Sequence, residues 1–150
     1  MSGIIVRDAR REDVPAIADL LAELYSIESQ FTPRPEKQRE GIRLALENPQ
    51  LSRLLVAQAG GRVIGFANLQ LMVSTYHGAI TVHIDDFIIA SANRGGGAGR
   101  TLMDGVLAKA RELGAPRVTV NIDKANTQAY AFYGKMGFMA MDMERWQRAM

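Results

Sequence analysis

The sequence contains no cysteine, and this absence excludes several kinds of chemistry. Disulfide bonds, thiolate nucleophiles and cysteine-based zinc sites are all ruled out, and a reducing cytoplasm is the expected location. The two histidines lack the spacing of a metal-ligand motif, so we expect no metal site. Apolar runs stay well short of the roughly 20 residues that a membrane helix needs, and early charges interrupt any signal-peptide core. We therefore expect a soluble cytoplasmic protein that does not act at a membrane.

An excess of charge of either sign is also missing. The chain has 18 Lys and Arg against 16 Asp and Glu, which gives a net charge of +2. The densest basic group, Arg7, Arg10 and Arg11, is interrupted by Asp8 and followed by Glu12. Because nucleic-acid binders concentrate Lys and Arg on one face, we expect no nucleic-acid partner.

The composition is that of an ordinary globular protein. Along the chain, segments with the apolar spacing of strands alternate with segments that have the apolar spacing of helices. With 150 residues, 47% of them hydrophobic, we expect one domain over residues 1–150. The apolar spacing and the Pro and Gly breaks predict strands around 4–6, 54–57, 63–73, 79–89, 118–122 and from Phe138 onward, and helices around 17–24, 42–46, 102–110 and 129–136. Gly60-Gly61 predicts a tight hairpin between two of the strands. This order predicts an α/β fold with a mixed, mostly antiparallel central sheet flanked by helices.

The middle strand of this sheet carries an irregularity. The apolar alternation of residues 80–84 resumes at Phe87 and Ile89, one position out of step. A β-bulge inserts one such extra residue into a strand. We therefore expect a bulge at Asp85-Asp86.

A glycine-dense loop, residues 94–100, joins this strand to an amphipathic helix. Glycine does not shield the backbone, so consecutive N–H groups can converge on an anion, and the helix start adds unpaired amides and a positive dipole end. Arg94 and Arg100 add positive charge, so the pattern predicts a pyrophosphate-binding loop. The Walker A motif fails because Arg94 stands in place of its first glycine, and G-x-G-x-x-G fails because no glycine closes it. A P-loop-like nucleotide site is therefore the weaker alternative.

Two motifs point to a known family. Ile89-x4-Arg94-x-x-Gly97-x-Gly99 resembles the [Q/R]-x-x-G-x-[G/A] acyl-CoA motif of the GNAT superfamily of N-acetyltransferases. Residues 126–138, N-T-Q-A-Y-A-F-Y-G-K-M-G-F, are similar to the later N-x-x-A-x-x-F-Y-x-x-x-G-F signature of that superfamily. The resemblance extends over essentially the whole chain and is closest in style to the diamine and other small-amine acetyltransferases.

The resemblance implies how a cosubstrate is held. Acetyl-CoA is the implied cosubstrate, without a metal, and the bulge opens a gap between two parallel strands in which the pantetheine arm lies. A bulge N–H then polarises the thioester carbonyl. The implied CoA contacts are Phe87, Ile88, Ile89, Arg94, Gly95, Gly96, Gly97, Ala98, Gly99, Arg100, Asn126 and Tyr133. Asn126 also suits the N-cap of the last helix, and both interpretations are compatible.

Acyl transfer to an amine requires a neutral nitrogen and a proton for the leaving thiol. A free alkylamine is mostly protonated at pH 7, so a base or a water chain must remove a proton. The resemblance implies Tyr133 as the acid, with Phe132 packing inward; filling the core is the alternative role for Tyr133. Asp85 stands where related sequences carry Glu, and it is implied as the base or as an anchor for the amine. Asp86 and His83 are its rivals.

The acceptor side is expected to involve the first helix, the connection at 31–35 and the loop around Tyr76. The expected substrate contacts are Tyr25, Glu28, Phe31, Tyr76, Asp85 and Asp86. Aromatic and acidic side chains favour a small cationic amine, so the predicted function is acetyl transfer from acetyl-CoA to a small primary amine by direct attack in a ternary complex. A peptide or protein amine is the rival acceptor, and a non-catalytic CoA-binding module is the rival class. Homodimers are common in similar proteins, but no residue here fixes an interface.

Overall fold

The computed structural model describes residues 3–28 and 31–150 of the chain. Its elements are β1 (Ile4–Asp8), α1 (Val14–Ile27), α2 (Pro35–Glu47), β2 (Ser52–Ala59), β3 (Arg62–Ser74), β4 (Ala79–Ile89), α3 (Ala98–Glu112), β5 (Val118–Val120) and α4 (Thr127–Lys135). A single 3-10 turn, Ser91–Asn93, follows β4 and leads into the loop before α3. Within the described ranges, each helix is too short or too polar to cross a membrane.

The five strands form one mixed sheet in the order β1-β2-β3-β4-β5. The first four strands are antiparallel neighbours, and β5 runs parallel to β4. Gly60 and Gly61 have φ values of 54° and 77°, the left-handed geometry that a two-residue hairpin between β2 and β3 requires. The predicted α/β fold with a mostly antiparallel sheet and flanking helices is confirmed.

The bulge in β4 lies where the apolar alternation predicts it. Asn68 of β3 pairs with Asp86, whereas the next residue, Leu69, pairs with Ile84. Asp85 is therefore the extra residue, which has no pairing partner on β3. The bulge keeps Phe87 on the same face of the sheet as Ile84, since both belong to one apolar cluster.

The two faces of the sheet are covered by different helices. On one face, α3 buries Leu102, Met103 and Val106 against strand residues, and half-buried side chains of α4 pack beside them. On the other face, α1 buries Ile17 and Leu21 under a cluster that also includes residues of α2. The bulged strand β4 lies between these two helical layers. Its side chains therefore face α3 and α4 on one side of the sheet and α1 and α2 on the other.

The parallel pairing of β4 with β5 is short. It covers only Val82–Ile84 of β4 against Val118–Val120, whereas β4 continues along β3 as far as Ile89. In the described part of the chain, the β5-side edge of residues 85–89 has no strand beside it. A gap therefore opens between the two parallel strands directly after the bulge.

The prediction of a last strand from Phe138 onward is wrong. Residues 138–150 form neither strand nor helix. The alternation of Met139, Met141 and Met143 resembles a strand pattern, but Met139 is 88% exposed and Met143 is 77% exposed. An alternating pattern forms a strand only when its apolar side has a core to pack on, and these side chains have none.

Candidate functional site

The loop between β4 and α3 presents backbone amides at the start of a helix. Gly95 and Gly97 have φ values of 82° and 87°, which residues other than glycine rarely adopt. Gly97 is the N-cap of α3, and no side chain caps the helix there. Because the first-turn amides of α3 are not satisfied by a capping side chain, they are available to an anion. The predicted loop geometry is therefore compatible with a diphosphate.

Gly99 allows α3 to approach α4 closely. A Cβ built at Gly99 would lie 3.2 Å from Cε1 of Phe132. The ring of Phe132 in turn lies 5.5 Å from that of Phe87 on β4, between ring centroids. The absence of a side chain at Gly99 thus leaves room for the Phe132 ring, which also packs against β4.

Arg94 is held by protein partners. Its Nε donates to the carbonyl oxygen of Ile89 over 2.8 Å, and its Nη2 donates to Oε1 of Glu23 over 2.9 Å. The same Glu23 oxygen accepts from the backbone N–H of Ser91 over 2.8 Å. The guanidinium therefore joins the end of β4 to α1, a role that the sequence prediction did not include.

Asn126 caps the last helix. Its side-chain oxygen accepts from the backbone N–H of Ala129 over 3.1 Å, at the start of α4. The N-cap interpretation is confirmed, and the contact with CoA stays a prediction.

Tyr133 is buried inside a cluster of aromatic rings. Its centroid lies 5.2 Å from that of Phe132, 5.4 Å from that of Phe138 and 6.1 Å from that of Phe87. Tyr133 is only 7% exposed, and Phe132 is half-buried. Phe132 packs against the core cluster as predicted, and Tyr133 belongs to that cluster and is the more deeply buried of the two.

The Tyr133 hydroxyl remains protonated at neutral pH. Burial raises the pKa of the phenol well above its ordinary value, and the negative charge of Glu28 raises it further. In the ranges that the structure describes, this hydroxyl makes no hydrogen bond. A protonated hydroxyl with no hydrogen-bond partner among the described residues is suited to donate a proton to a bound molecule.

A cavity of about 210 Å³ lies between α1, α2 and the sheet. Its lining includes Tyr25 of α1, Lys37 of α2, Asn68 of β3, and the bulge residues Asp85 and Asp86. Phe31 packs against Tyr25, with its ring centroid 5.4 Å from that of Tyr25. Three of the predicted substrate contacts, Tyr25, Asp85 and Asp86, therefore line this cavity, and Phe31 adjoins one of them.

Asp86 is the fixed carboxylate of this cavity. Its two oxygens accept from the Tyr25 hydroxyl and from Nδ2 of Asn68, each over 2.9 Å. Burial raises the pKa of the Asp86 carboxyl, and the hydrogen bond from Asn68 opposes that rise. Asp85, in contrast, is exposed at the bulge. Asp86 therefore orients Tyr25, whereas Asp85 is the more accessible acid for a substrate.

Glu28 directly follows α1 and has a strongly raised pKa. Burial raises its pKa to about 7, and the negative charges of Asp86, Asp123 and Asp85 contribute. Its charge also acts on Tyr133, although the two residues come from elements on opposite faces of the sheet. A carboxyl group with a pKa near neutrality is matched to accepting a proton at that pH. The sequence identified Glu28 only as a substrate contact, since no local motif reveals acids that converge from distant segments.

Two other predicted residues lie apart from this group. His83 is buried, with Nδ1 at 2.7 Å from Oγ1 of Thr119 and Nε2 at 3.4 Å from Nη1 of Arg145. Burial lowers its pKa, so it is a neutral group held by structural partners.

Tyr76 is 91% exposed at the tip of the β3–β4 hairpin, where its ring contacts only His77 in the described ranges. The length of the strand between Ala79 and Asp85 separates this tip from the cavity by about 20 Å. The structure therefore gives no support to the prediction that Tyr76 joins the acceptor side.

The chain matches a family model along most of its length. The model of the acetyltransferase (GNAT) family covers residues 15–138. The chain belongs to the acetyltransferase (GNAT) family. This family member is 32% identical to the D-amino-acid N-acetyltransferase HPA3 of Saccharomyces cerevisiae over 78 residues, which are 52% of this chain and 48% of that protein. The chain thus spans about half the length of this curated relative.

Solved structures share the fold of this GNAT protein along nearly its full length. The aminoglycoside N-acetyltransferase AAC(6')-Iy, in a complex with CoA, superposes with a TM-score of 0.82 at 15% identity, over 97% of this chain and 94% of that one. The ribosomal-protein-alanine N-acetyltransferase of Brucella melitensis biovar Abortus 2308 superposes with a TM-score of 0.77 at 18% identity, over 98% and 99% of the two chains. At these identities the likeness establishes the fold alone.

Proposed function

We propose that this protein transfers an acetyl group from acetyl-CoA to a small primary amine by direct attack within a ternary complex. One observation carries this proposal. The gap that opens after the bulge in β4 has the glycine-rich loop at one end, Tyr133 beside it and the acidic cavity on the other face. Features suited to bind the acetyl donor and features suited to bind the amine acceptor therefore meet at a single point of the sheet.

The residues that would hold acetyl-CoA fit its chemistry. The uncapped amides at the start of α3 would bind the diphosphate, with Arg100 beside them. The backbone groups of residues 87–89 that lack a strand on the β5 side would pair with the amides of the pantetheine arm, and Asn126 would add a contact at the start of α4. When bound, acetyl-CoA supplies an activated thioester carbonyl. The cysteine-free composition favours the reducing cytoplasm as the place of reaction.

The chain's own residues would then move two protons. A carboxylate, Asp85 or Glu28, takes a proton from the ammonium so that the nitrogen can bond to the thioester carbon. The carbon–sulfur bond breaks as that bond forms, and Tyr133 donates its phenolic proton to the leaving thiolate. The nitrogen loses its second proton as the amide forms, and this proton, carried by water, restores the tyrosinate to a phenol. The protonated carboxyl releases its proton to solvent. No covalent enzyme intermediate is needed, in agreement with the absence of cysteine.

The acceptor site favours a small cation over a protein substrate. The cavity is about 210 Å³, and in its lining the two carboxylates of Asp85 and Asp86 outnumber the single ammonium of Lys37. The ring of Tyr25 also lines the cavity, and that of Phe31 packs against Tyr25. A peptide amine is the second candidate, because proteins of this fold are named for acceptors as different as aminoglycosides and ribosomal-protein alanine.

The test is a thiol-release assay with acetyl-CoA against a panel of small amines and peptides, together with calorimetry of CoA binding. We expect CoA to bind and turnover to appear on small amines that carry a positive charge. Turnover on peptides alone would reject the small-amine acceptor. Binding of CoA without turnover on any amine would favour a non-catalytic CoA-binding module, and no binding would reject the proposal.

The pH profile assigns the base. If Glu28 takes the proton, kcat/KM rises with pH through about 7, falling about tenfold for each pH unit below that value. Glu28→Gln should remove this dependence, and the matched variant Asp85→Asn should keep it. The measurement is kcat/KM from pH 5.5 to 8.5. A dependence lost in Asp85→Asn and kept in Glu28→Gln would assign the base to Asp85.

The same substitution should stabilise the fold. The pKa of Glu28 lies above its ordinary value of 4.5, so the folded state binds the proton more tightly than the unfolded state does. Ionisation of Glu28 therefore lowers the free energy of unfolding as the pH rises from about 4.5 to about 7. Glu28→Gln should melt at a higher temperature than the wild type at pH 8 and at a similar one at pH 4, by differential scanning fluorimetry. An equal melting temperature at pH 8 would contradict the raised pKa.

A further inference from the structure

Glu23 connects the helix of the acceptor side to the loop of the donor side. It lies on α1, which also carries Tyr25. One of its carboxylate oxygens accepts both the Ser91 backbone N–H and Nη2 of Arg94. Arg94 closes the group by donating its Nε to the carbonyl oxygen of Ile89, the last residue of β4. Three hydrogen bonds of 2.8–2.9 Å thus fix both ends of the turn that precedes the glycines.

This anchor matters because the loop beyond it has few other constraints. Gly95, Gly96 and Gly97 are exposed and have no side chains with which to hold a conformation. A flexible loop must lose conformational freedom when it closes around a ligand, and an anchor at its base reduces that loss. The pair itself is half-exposed, with 42% of the Arg94 side chain and 32% of the Glu23 side chain accessible, so it adds little to overall stability.

We infer that Glu23 is a positioning residue for the acetyl-CoA loop, and that Arg94 acts through Glu23 and Ile89 and not by contact with the diphosphate. This inference rests on the proposed function. Neither residue moves a proton or touches the reacting atoms. Their effect is to hold the amides of the loop where the diphosphate of CoA would bind, at a fixed distance from α1.

The test is a double-mutant cycle on CoA binding by calorimetry, with steady-state kinetics for acetyl-CoA. Glu23→Ala and Arg94→Ala should each raise Kd and KM about tenfold and change kcat less than about twofold. The double variant should bind CoA no more weakly than either single variant, because both substitutions break the same anchor. Melting temperatures should stay within about 2 °C of the wild type, since a half-exposed pair is removed.

Conservative variants separate positioning from charge. Arg94→Lys keeps the positive charge but cannot donate to both Ile89 and Glu23 with the fork geometry of arginine, so it should bind CoA as weakly as Arg94→Ala. Glu23→Gln keeps an oxygen for the Ser91 N–H and should show an intermediate loss. The matched control is Glu40→Ala, which breaks the exposed Glu40–Arg43 pair on α2 and should leave Kd unchanged.

Three results would overturn the inference while CoA binding by the wild type stands. These are an unchanged Kd in Glu23→Ala, wild-type affinity in Arg94→Lys, or a further loss when Arg94→Ala is added to Glu23→Ala. The last two would assign Arg94 to direct contact with the diphosphate. A wild-type protein that binds no CoA would instead reject the proposed function, and the inference with it.

Discussion

Replacing Tyr133 with Phe is expected to lower the rate of acetyl transfer ten- to a hundredfold, with folding intact. Burial and the charge of Glu28 keep the phenol protonated, and in the described ranges its hydroxyl makes no hydrogen bond. Loss of this hydroxyl removes the proton donor for the leaving thiolate, and a tenfold loss corresponds to about 1.4 kcal/mol in the barrier. The measurement is single-turnover release of CoA, which reports the chemical step and not product release.

The control for this prediction lies on the same helix. Tyr130 of α4 is 48% exposed and makes no ring contact with the aromatic cluster of Tyr133 in the described part of the chain, so Tyr130→Phe should keep the wild-type rate. Because Tyr133→Phe leaves no partner unsatisfied among the described residues, its melting temperature should stay close to that of the wild type. A wild-type rate in Tyr133→Phe would remove Tyr133 from the mechanism and leave it a core residue.

Replacing Asp13 with Ala is expected to lower the free energy of unfolding by about 3 kcal/mol. Asp13 is buried at the start of α1, and its two oxygens accept from Nη1 and Nη2 of Arg7 over 2.8 and 3.0 Å. One of these oxygens also accepts from the Arg10 backbone N–H over 2.7 Å. The substitution leaves a partly buried guanidinium without its partner, which costs more than the loss of an exposed pair. Urea unfolding at pH 7 measures the change.

The pH dependence of this contribution has a definite sign. The hydrogen bond from Arg7 holds the pKa of the Asp13 carboxyl below its ordinary value of 3.8. The stabilisation is therefore present above pH 3.8 and is lost as the pH falls through the lower pKa of the folded state. Wild type and Asp13→Ala should differ in stability at pH 7 and converge in strong acid. The control, Asp8→Ala, removes an exposed partner of Lys109 and should cost under about 1 kcal/mol. A comparably small loss in Asp13→Ala would show that Arg7 finds another partner or remains hydrated.

Sequence patterns predicted the parts of this fold that depend on local alternation. The bounds of β4, the bulge at Asp85 and the Gly60-Gly61 hairpin all follow from the spacing of apolar residues and from glycine geometry. The same logic failed after Phe138, where methionines alternate but have no core to pack on. Local patterns state which side chains could share a face, whereas burial depends on what the rest of the chain places opposite them.

The site shows the same division between local and distant information. The glycine-rich loop and Tyr133 lie in contiguous motifs, so the sequence could predict a role in the site for them. The partner of Arg94 is Glu23, 71 residues away, so no motif could reveal that the guanidinium is already bound. The raised pKa of Glu28 likewise results from acids on separate segments. The position of Tyr76 at the exposed tip of the β3–β4 hairpin could not be predicted either, because a turn in the sequence does not show at which end of the sheet it lies.

The extra residue at Asp85 has a consequence for how chains of this kind can vary in length. After this residue, Phe87 faces the rings around Tyr133 because the bulge adds one residue to β4 before Phe87. An in-frame loss of a single codon in this stretch would turn Phe87 and Ile89 over to the side of α1, whatever residue types remained. Exchange of one side chain for another at this position leaves that orientation untouched. The orientation of the second half of β4 therefore depends on the number of residues in the strand and not only on their identity.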